Sequence, residues 1–313
     1  MKNVLVIGGA GYIGGLTTDL LISKSYTVTV YDNLLYESRF LKDCDFIYGD
    51  IRDTDKLLRL HKKYDEIIWL AAIVGDGACS QSPELTREVN VNSIRRFLEK
   101  TKRRITFTST CSVYGAQNEM LTENSPTNPL SLYASTKLEA EKYVIDNGGL
   151  VFRLGTLFGL GDKYSRIRLD LVVNVLTLRA LTEKKLTVFG GEQWRPIIAV
   201  RDIAGYLTEA VSRDYRGIYN LKYQNVMIKD LANRIRSVFP EVTIMQTDIK
   251  FEDLRNYRVD SSKVEEDFIF KPQTSVENEV SRMRILFEDR RIKNPNDDIY
   301  YNTKYVKAML NGH

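Results

Sequence analysis

The sequence predicts an α/β protein, a doubly wound parallel sheet followed by a smaller mixed α/β domain. Three observations predict it. Short β-branched apolar runs alternate with helical stretches through the first half of the chain. A glycine-rich turn stands directly between the first of these runs and the first helix. The second half keeps several helical patterns with occasional strands but loses the regular alternation. Strands that alternate with helices require a mostly parallel sheet covered on both faces.

Each element follows in order. Lys2 to Ile7 is the first strand, Tyr12 to Ser23 a helix, and Tyr26 to Tyr31 the second strand. Asp45 to Tyr48, Glu66 to Leu70 and Ile105 to Ser109 continue the strands, separated or followed by helices at Asp53 to Lys63, Pro83 to Lys100 and Leu132 to Asn147. Asn147-Gly148-Gly149 stops the last helix, and Leu150 to Leu154 is another strand. Beyond it, Leu169 to Leu181, Asp202 to Val211, Lys229 to Val238 and Ser275 to Phe287 have helical periodicity. Leu186 to Phe189 and Ile218 to Leu221 are strands. Arg290 to Asp298 is a polar tail, and Tyr300 to Leu310 can dock as a helix.

The bulk composition excludes several classes of function. The 313 residues are 43% apolar and 27% charged, ordinary for a soluble globular protein. A net charge of +4 is too small to indicate nucleic acid as a partner. The densest basic stretch, Lys100 to Arg104, ends a helix, where cations suit the dipole. Three unpaired cysteines and two histidines give neither a disulfide framework nor a metal site. No apolar run reaches the roughly 18 residues a membrane span needs, and no signal-peptide pattern opens the sequence. A cytoplasmic setting is the expectation.

The glycine turn is Gly8-Gly9-Ala10-Gly11-Tyr12-Ile13-Gly14. Between strand and helix, its glycines permit a tight turn and let the backbone approach a pyrophosphate at the helix N-terminus. This is the Rossmann-type pattern for a dinucleotide. Asp32 closes the second strand where a ribose-binding acid is expected, and its charge favours NAD over NADP. It is also half of a turn-forming pair with Asn33. Asp50-Ile51, at the end of the third strand, reaches the adenine or merely caps the next helix.

Tyr133 and Lys137 are four residues apart and share a helix face. A free tyrosine, with a pKa of about 10, is a poor base at neutral pH. A neighbouring ammonium and the positive nicotinamide ring both favour its phenolate. Thr110, at the end of the fifth strand, offers a hydroxyl for the same substrate oxygen. A tyrosine and lysine at this spacing are common by chance, so the pair gains its meaning from its company.

That company is the ordered set of glycine turn, Asp32, Leu70-Ala71-Ala72, Asn90, the Thr110 segment and the Tyr133 to Lys137 motif. It resembles the extended short-chain dehydrogenase/reductases, and more narrowly the NAD-dependent epimerase/dehydratase family acting on nucleotide sugars. The resemblance implies an NAD-binding domain over residues 1–165, with a returning segment near 197–225, and a substrate domain over 166–313. It implies catalysis by Thr110, Tyr133 and Lys137. Gly8, Gly11, Tyr12, Ile13, Gly14, Asp32, Asn33, Asp50, Ile51, Leu70, Ala71, Ala72 and Asn90 would hold the cofactor. Arg195 and Arg255 would grip a substrate diphosphate, while Thr156, Arg166, Arg168, Asp170 and Asn174 would shape the nucleotide pocket. Pairing of the helices at Pro83 to Lys100 and Leu132 to Asn147 would make a homodimer.

Departures from the pattern narrow the reaction. Dehydratases of this family carry an Asp-Glu pair just after the catalytic threonine, where this chain has Cys111 and Ser112. Decarboxylases usually keep the second acid. The family's Asn after the sixth-strand arginine is Thr156 here, and its His after Arg195 is Ala199. Cys111 reads as a small buried side chain. The resemblance thus implies oxidation of a nucleotide-sugar hydroxyl, at C4, by a 4-epimerase. The alternatives are a net 4-dehydrogenase, for example of a GDP-linked heptose in surface-polysaccharide biosynthesis, and a non-catalytic NAD-binding regulatory protein. A reductase of small carbonyls would need no diphosphate grip.

Overall fold

The computed structural model describes residues 2–247 and 256–312. Its elements run β1 (Asn3–Ile7), α1 (Tyr12–Ser23), β2 (Thr27–Asp32), β3 (Asp45–Tyr48), α2 (Thr54–Leu60), β4 (Glu66–Trp69), α3 (Asp76–Gln81), α4 (Pro83–Arg87), α5 (Ser93–Thr101), β5 (Thr106–Thr110), β6 (Met120–Leu121) and α6 (Leu132–Asp146). Then come β7 (Leu150–Leu154), β8 (Thr156–Phe158), α7 (Val172–Glu183), β9 (Lys185–Phe189), β10 (Trp194–Ala199), α8 (Val200–Ser212), β11 (Gly217–Leu221), β12 (Gln224–Met227) and α9 (Ile228–Val238). Last are β13 (Thr243–Thr247), β14 (Arg258–Val259), α10 (Ser262–Asp267), α11 (Val276–Glu288) and α12 (Asn302–Leu310).

Seven strands form one parallel sheet in the order β11-β7-β5-β4-β1-β2-β3. The alternation of β1 shows why it is doubly wound. Val4 and Val6 point into a core with Leu21, Phe152, Tyr206 and Leu207, under α1 and α8. Leu5 and Ile7 point into the opposite core with Trp69, Phe97, Phe107, Ala140 and Val144, under α5 and α6. Successive strand residues face opposite ways, so apolar residues at both parities need a covered face on each side. A third core, around Phe158, Leu176, Leu186, Leu231 and Val280, belongs to the second half of the chain.

The strand order reverses at β1, which has β2 on one side and β4 on the other. Ligands of such sheets bind at the strands' carboxyl ends beside this switch point. The returning segment expected near 197–225 is only partly in this sheet. β11 pairs with β7 at its edge, whereas β10 joins β8 and β12 in a separate three-stranded sheet.

Two of the expected helices differ from the sequence pattern. The helix expected at Leu169 starts at Val172, because Arg168 and Asp170 form an ion pair in the loop before it. The helix expected from Pro83 to Lys100 is interrupted by a π segment at Glu88–Asn92. Such segments favour functional surroundings, and this one carries Asn90. In the Lys100 to Arg104 stretch the two lysines are exposed and the two arginines are engaged within the fold. Arg104 pairs with Glu66 at 2.6 Å, and Arg103 donates to the carbonyl of Tyr64.

Candidate active site

One cleft of about 370 Å³ opens at the switch point, and both expected groups of residues line it. Its cofactor end starts at the glycine turn. Gly8 has φ +85°, and a Cβ there would sit 2.5 Å from the Ala71 nitrogen. A Cβ at Gly14 would sit 2.2 Å from the Gly8 oxygen. These two glycines are required by the fold of the turn itself. Gly11 differs, since the nearest protein atom to its Cβ position is 3.6 Å away. The protein has room for a side chain there, so the bare peptide serves whatever occupies the cleft.

Asp32 accepts hydrogen bonds from the backbone N–H groups of Ala10 (3.0 Å) and Leu34 (2.8 Å). Burial pushes its carboxyl up from the usual range, and those N–H groups oppose the rise. Asp50 lines the cleft, but Arg52 holds it through two hydrogen bonds and Asn33 donates to it at 3.2 Å. Leu70, Ala71 and Ala72 form the opposite wall. Tyr36 also lines the cleft, and its buried hydroxyl has no hydrogen-bond partner among the described residues. An orphaned hydroxyl, an open glycine and a buried acid fit a dinucleotide with polar groups to offer. NAD there would meet α1's free N–H groups at its pyrophosphate and Asp32 at a ribose.

Thr110, Tyr133 and Lys137 line the other end of the same cleft. Thr110 ends β5, and its Oγ1 accepts from the Ser112 N–H at 3.1 Å, which fixes the hydroxyl. Ser131 caps α6 by accepting from the Ala134 N–H, so Tyr133 and Lys137 lie on the helix's first turns. Burial pushes the Tyr133 phenol well above its ordinary value, while Arg168 opposes. Burial also lowers the Lys137 pKa from 10.5 to about 7. Its ammonium lies 4.1 Å from the centroid of the Phe107 ring. The free chain therefore favours a neutral phenol and, near pH 7, a partly neutral amine. Burial is the largest cause of both shifts, and a positive charge brought into the cleft would favour the phenolate.

Beneath this end, Arg153 and Glu141 form a buried ion pair at 2.7 Å. Glu141 accepts from Ser109 on β5, and Arg153 reaches the Tyr114 hydroxyl at 2.9 Å. Cys111 is fully buried, with its thiol toward the Arg153 carbonyl at 3.2 Å and burial pushing its pKa up. It is a packing side chain, as expected. Ser112 faces the cleft beside Tyr257 (3.4 Å between hydroxyls).

The remaining expected residues divide. Tyr12, Ile13, Ile51, Thr156, Arg166 and Arg168 line the cleft. Asn90 does not. Its amide accepts from the Ile73 N–H (2.8 Å) and donates to the Ile73 carbonyl (3.0 Å), holding the loop after β4. Asn174 also stands off the wall and clamps Gly159 and the Arg168 carbonyl. Arg195 is buried on β10 away from the cleft lining, and donates to the Trp194 carbonyl at 2.9 Å. Arg255 lies outside the described residues. Sequence reasoning missed Tyr36, Glu37, Ser112, Tyr257, Asn302 and Val306 as lining residues. The periodicity of 300–310 announced a helix but not where it docks.

The fold is shared with solved structures. A UDP-glucose 4-epimerase from Thermotoga maritima, crystallised with UDP-glucose, superposes with a TM-score of 0.79 at 23% identity, covering 91% of this chain and 99% of the other. Among curated proteins, the chain is 28% identical to a UDP-glucose 4-epimerase of Streptomyces lividans over 63% of its length. It is 29% identical to a putative UDP-glucose 4-epimerase of Methanocaldococcus jannaschii over 64%. These matches span 66% and 70% of the relatives' lengths, and less than half of some other curated 4-epimerases. Residues 4–221 match the family described as the NAD dependent epimerase/dehydratase family. Since that stretch is most of the chain and contains the glycine turn, Asp32, Thr110, Tyr133 and Lys137, the chain belongs to the NAD dependent epimerase/dehydratase family, a family of NAD-dependent enzymes.

Proposed function

We propose that the protein is a nucleotide-sugar 4-epimerase. The observation that carries this reading is the placement of Thr110, Tyr133 and Lys137 at one end of a cleft whose other end is built for NAD. NAD, when bound, supplies the hydride-accepting ring beside the sugar. Tyr133 takes the proton from the C4 hydroxyl and returns it when the carbon is reduced again. Thr110 holds the same oxygen with its fixed hydroxyl. Lys137, buried on the cleft wall, would hold the cofactor's ribose. Positive charge brought by the nicotinamide favours the phenolate that burial alone disfavours.

The distribution of carboxylates supports isomerisation over water loss. Among the described lining residues, the acids are Asp32, Glu37 and Asp50, all toward the cofactor end. Beside Thr110 stand a buried thiol and a serine hydroxyl. Neither is an acid that would expel water at neutral pH. For the diphosphate of the substrate, Arg168 is one of the cations on the wall, positioned by Asp170 at 2.9 Å.

A panel of UDP-, GDP-, CDP- and dTDP-sugars tests the reading, with products identified by NMR and reduced cofactor followed by absorbance. The epimerase reading requires a 4-epimer with no accumulation of reduced cofactor. Stoichiometric reduced cofactor and a released keto sugar would make the protein a net 4-dehydrogenase. NAD binding with no turnover of any sugar would make it a regulatory binding protein.

A further inference from the structure

We propose that Asn302 is a positioning residue that latches the C-terminal helix α12 across the cofactor cleft and thereby sets how slowly NAD leaves. The helix contributes Asn302, Val306 and Met309 to the wall of the cleft that also contains Asp32 and Tyr133. Val306 is buried with Ile73, Ala78 and Cys79, on the loop after β4 and on α3. Tyr305 meets the ring of Tyr36, in the loop after β2, with centroids 5.4 Å apart. One short helix therefore touches the segments that follow both strands flanking the switch point.

Asn302 makes this attachment specific. It is buried, and its backbone N–H, its amide nitrogen and its amide oxygen each make a hydrogen bond. Its backbone N–H donates to Asp170 at 2.9 Å, and its side-chain amide donates to the Val74 carbonyl at 2.9 Å. Its side-chain oxygen accepts from the Arg166 guanidinium. Arg166 also donates to the Ile299 carbonyl at 2.7 Å and lies 4.2 Å from the centroid of the Tyr36 ring. Asp170 in turn holds Arg168 on the cleft wall. Removing the amide leaves a buried guanidinium short of an acceptor and a buried carbonyl short of a donor, which a fold does not tolerate without rearranging.

Tyr36, whose hydroxyl has no hydrogen-bond partner among the described residues, belongs to the same clasp through its ring, which packs against the Arg166 guanidinium. A ligand there is enclosed by Tyr36, Arg166 and α12 together, and leaves only when those contacts open. Retention suits a reaction in which the same cofactor takes and returns hydride. The inference depends only on NAD binding and not on which sugar reacts.

The experiment follows release of the cofactor from full-length protein. Enzyme loaded with NADH is mixed with excess NAD, and the decay of bound NADH fluorescence is recorded. Asn302→Ala and the milder Asn302→Ser should each release NADH about tenfold faster or more, the loss of a hydrogen-bonded contact of roughly 1.4 kcal/mol or more. The exposed Lys307→Ala on the same helix should release at the wild-type rate. Release within twofold of wild type in both Asn302 variants, with melting temperatures unchanged, overturns the latch. So does equal acceleration in Lys307→Ala, which would show a general loosening. A wild-type protein that holds no NADH would instead refute the cofactor assignment, a separate failure.

Discussion

Tyr133 and Lys137 titrate in opposite senses because burial penalises the charged form of each, an anion for the phenol and a cation for the amine. The phenol is pushed up, and the lysine falls to about 7. Lys137 has a folded-state pKa below its unfolded value, so between about pH 7 and 10 the unfolded chain binds more protons. Its contribution to stability therefore rises as the pH rises through that window. Protein freed of NAD should gain about 2 kcal/mol more between pH 7 and pH 9 than the Lys137→Met variant, measured by urea unfolding. A parallel pH response in both would contradict this. Tyr133→Phe keeps the ring but removes the proton carrier. It should lower kcat by about a hundred- to ten-thousand-fold while NAD binding, read by fluorescence titration, is retained. At Gly14, a methyl would sit 2.2 Å from the Gly8 oxygen. Gly14→Ala should therefore weaken NAD binding, seen in the same titration, whereas Gly11→Ala should fold and melt normally and lose affinity only. These residues were legible in the sequence because each belongs to a local pattern of turn, strand end or helix face. Tyr36 and Asn302 were not, since their roles arise from segments far apart in the chain.

At the scale of elements, regular periodicity was easy to read and its interruptions were not. α1 spans Tyr12–Ser23 as its pattern indicates. The stretch from Pro83 also reads as one helix, and nothing in its hydrophobic spacing announces the π segment at Glu88–Asn92. The reason lies in tertiary contacts, because Asn90 bonds both peptide groups of Ile73 and reaches Thr136 on α6. Asn90→Ala leaves the Ile73 N–H and carbonyl unpaired in a buried setting. It should cost about 2–4 kcal/mol in unfolding free energy, and lower kcat through displacement of the loop lining the cleft. Destabilisation below 1 kcal/mol would show that the loop stands without it. α12 is the mirror case: its amphipathic pattern was visible, but its docking site is formed by α3 and the loops after β2 and β4, which no local window contains.

The whole molecule places its chemistry by topology. Reversal of the strand order at β1 opens the cleft, β4 and β5 deliver its opposite wall, and α6 crosses over β5 to supply Tyr133 and Lys137. Strand and helix alternation was enough to infer this sheet, since parallel strands need crossover helices of fixed hand. The smaller sheets were less legible because they break the strand–helix alternation: β8 has three residues and follows β7 directly, and β12 pairs antiparallel with β10. The central claim concerns what happens at one carbon of the sugar, and an isotope reads it directly. A nucleotide sugar carrying deuterium at C4, chosen from the panel for turnover, is incubated with the protein and its natural cofactor. The account predicts an inverted C4 that still carries the deuterium, because what is taken from one face is returned to the other within the closed cleft. Deuterium lost to solvent, or carried off in free reduced cofactor beside a released keto sugar, would contradict it.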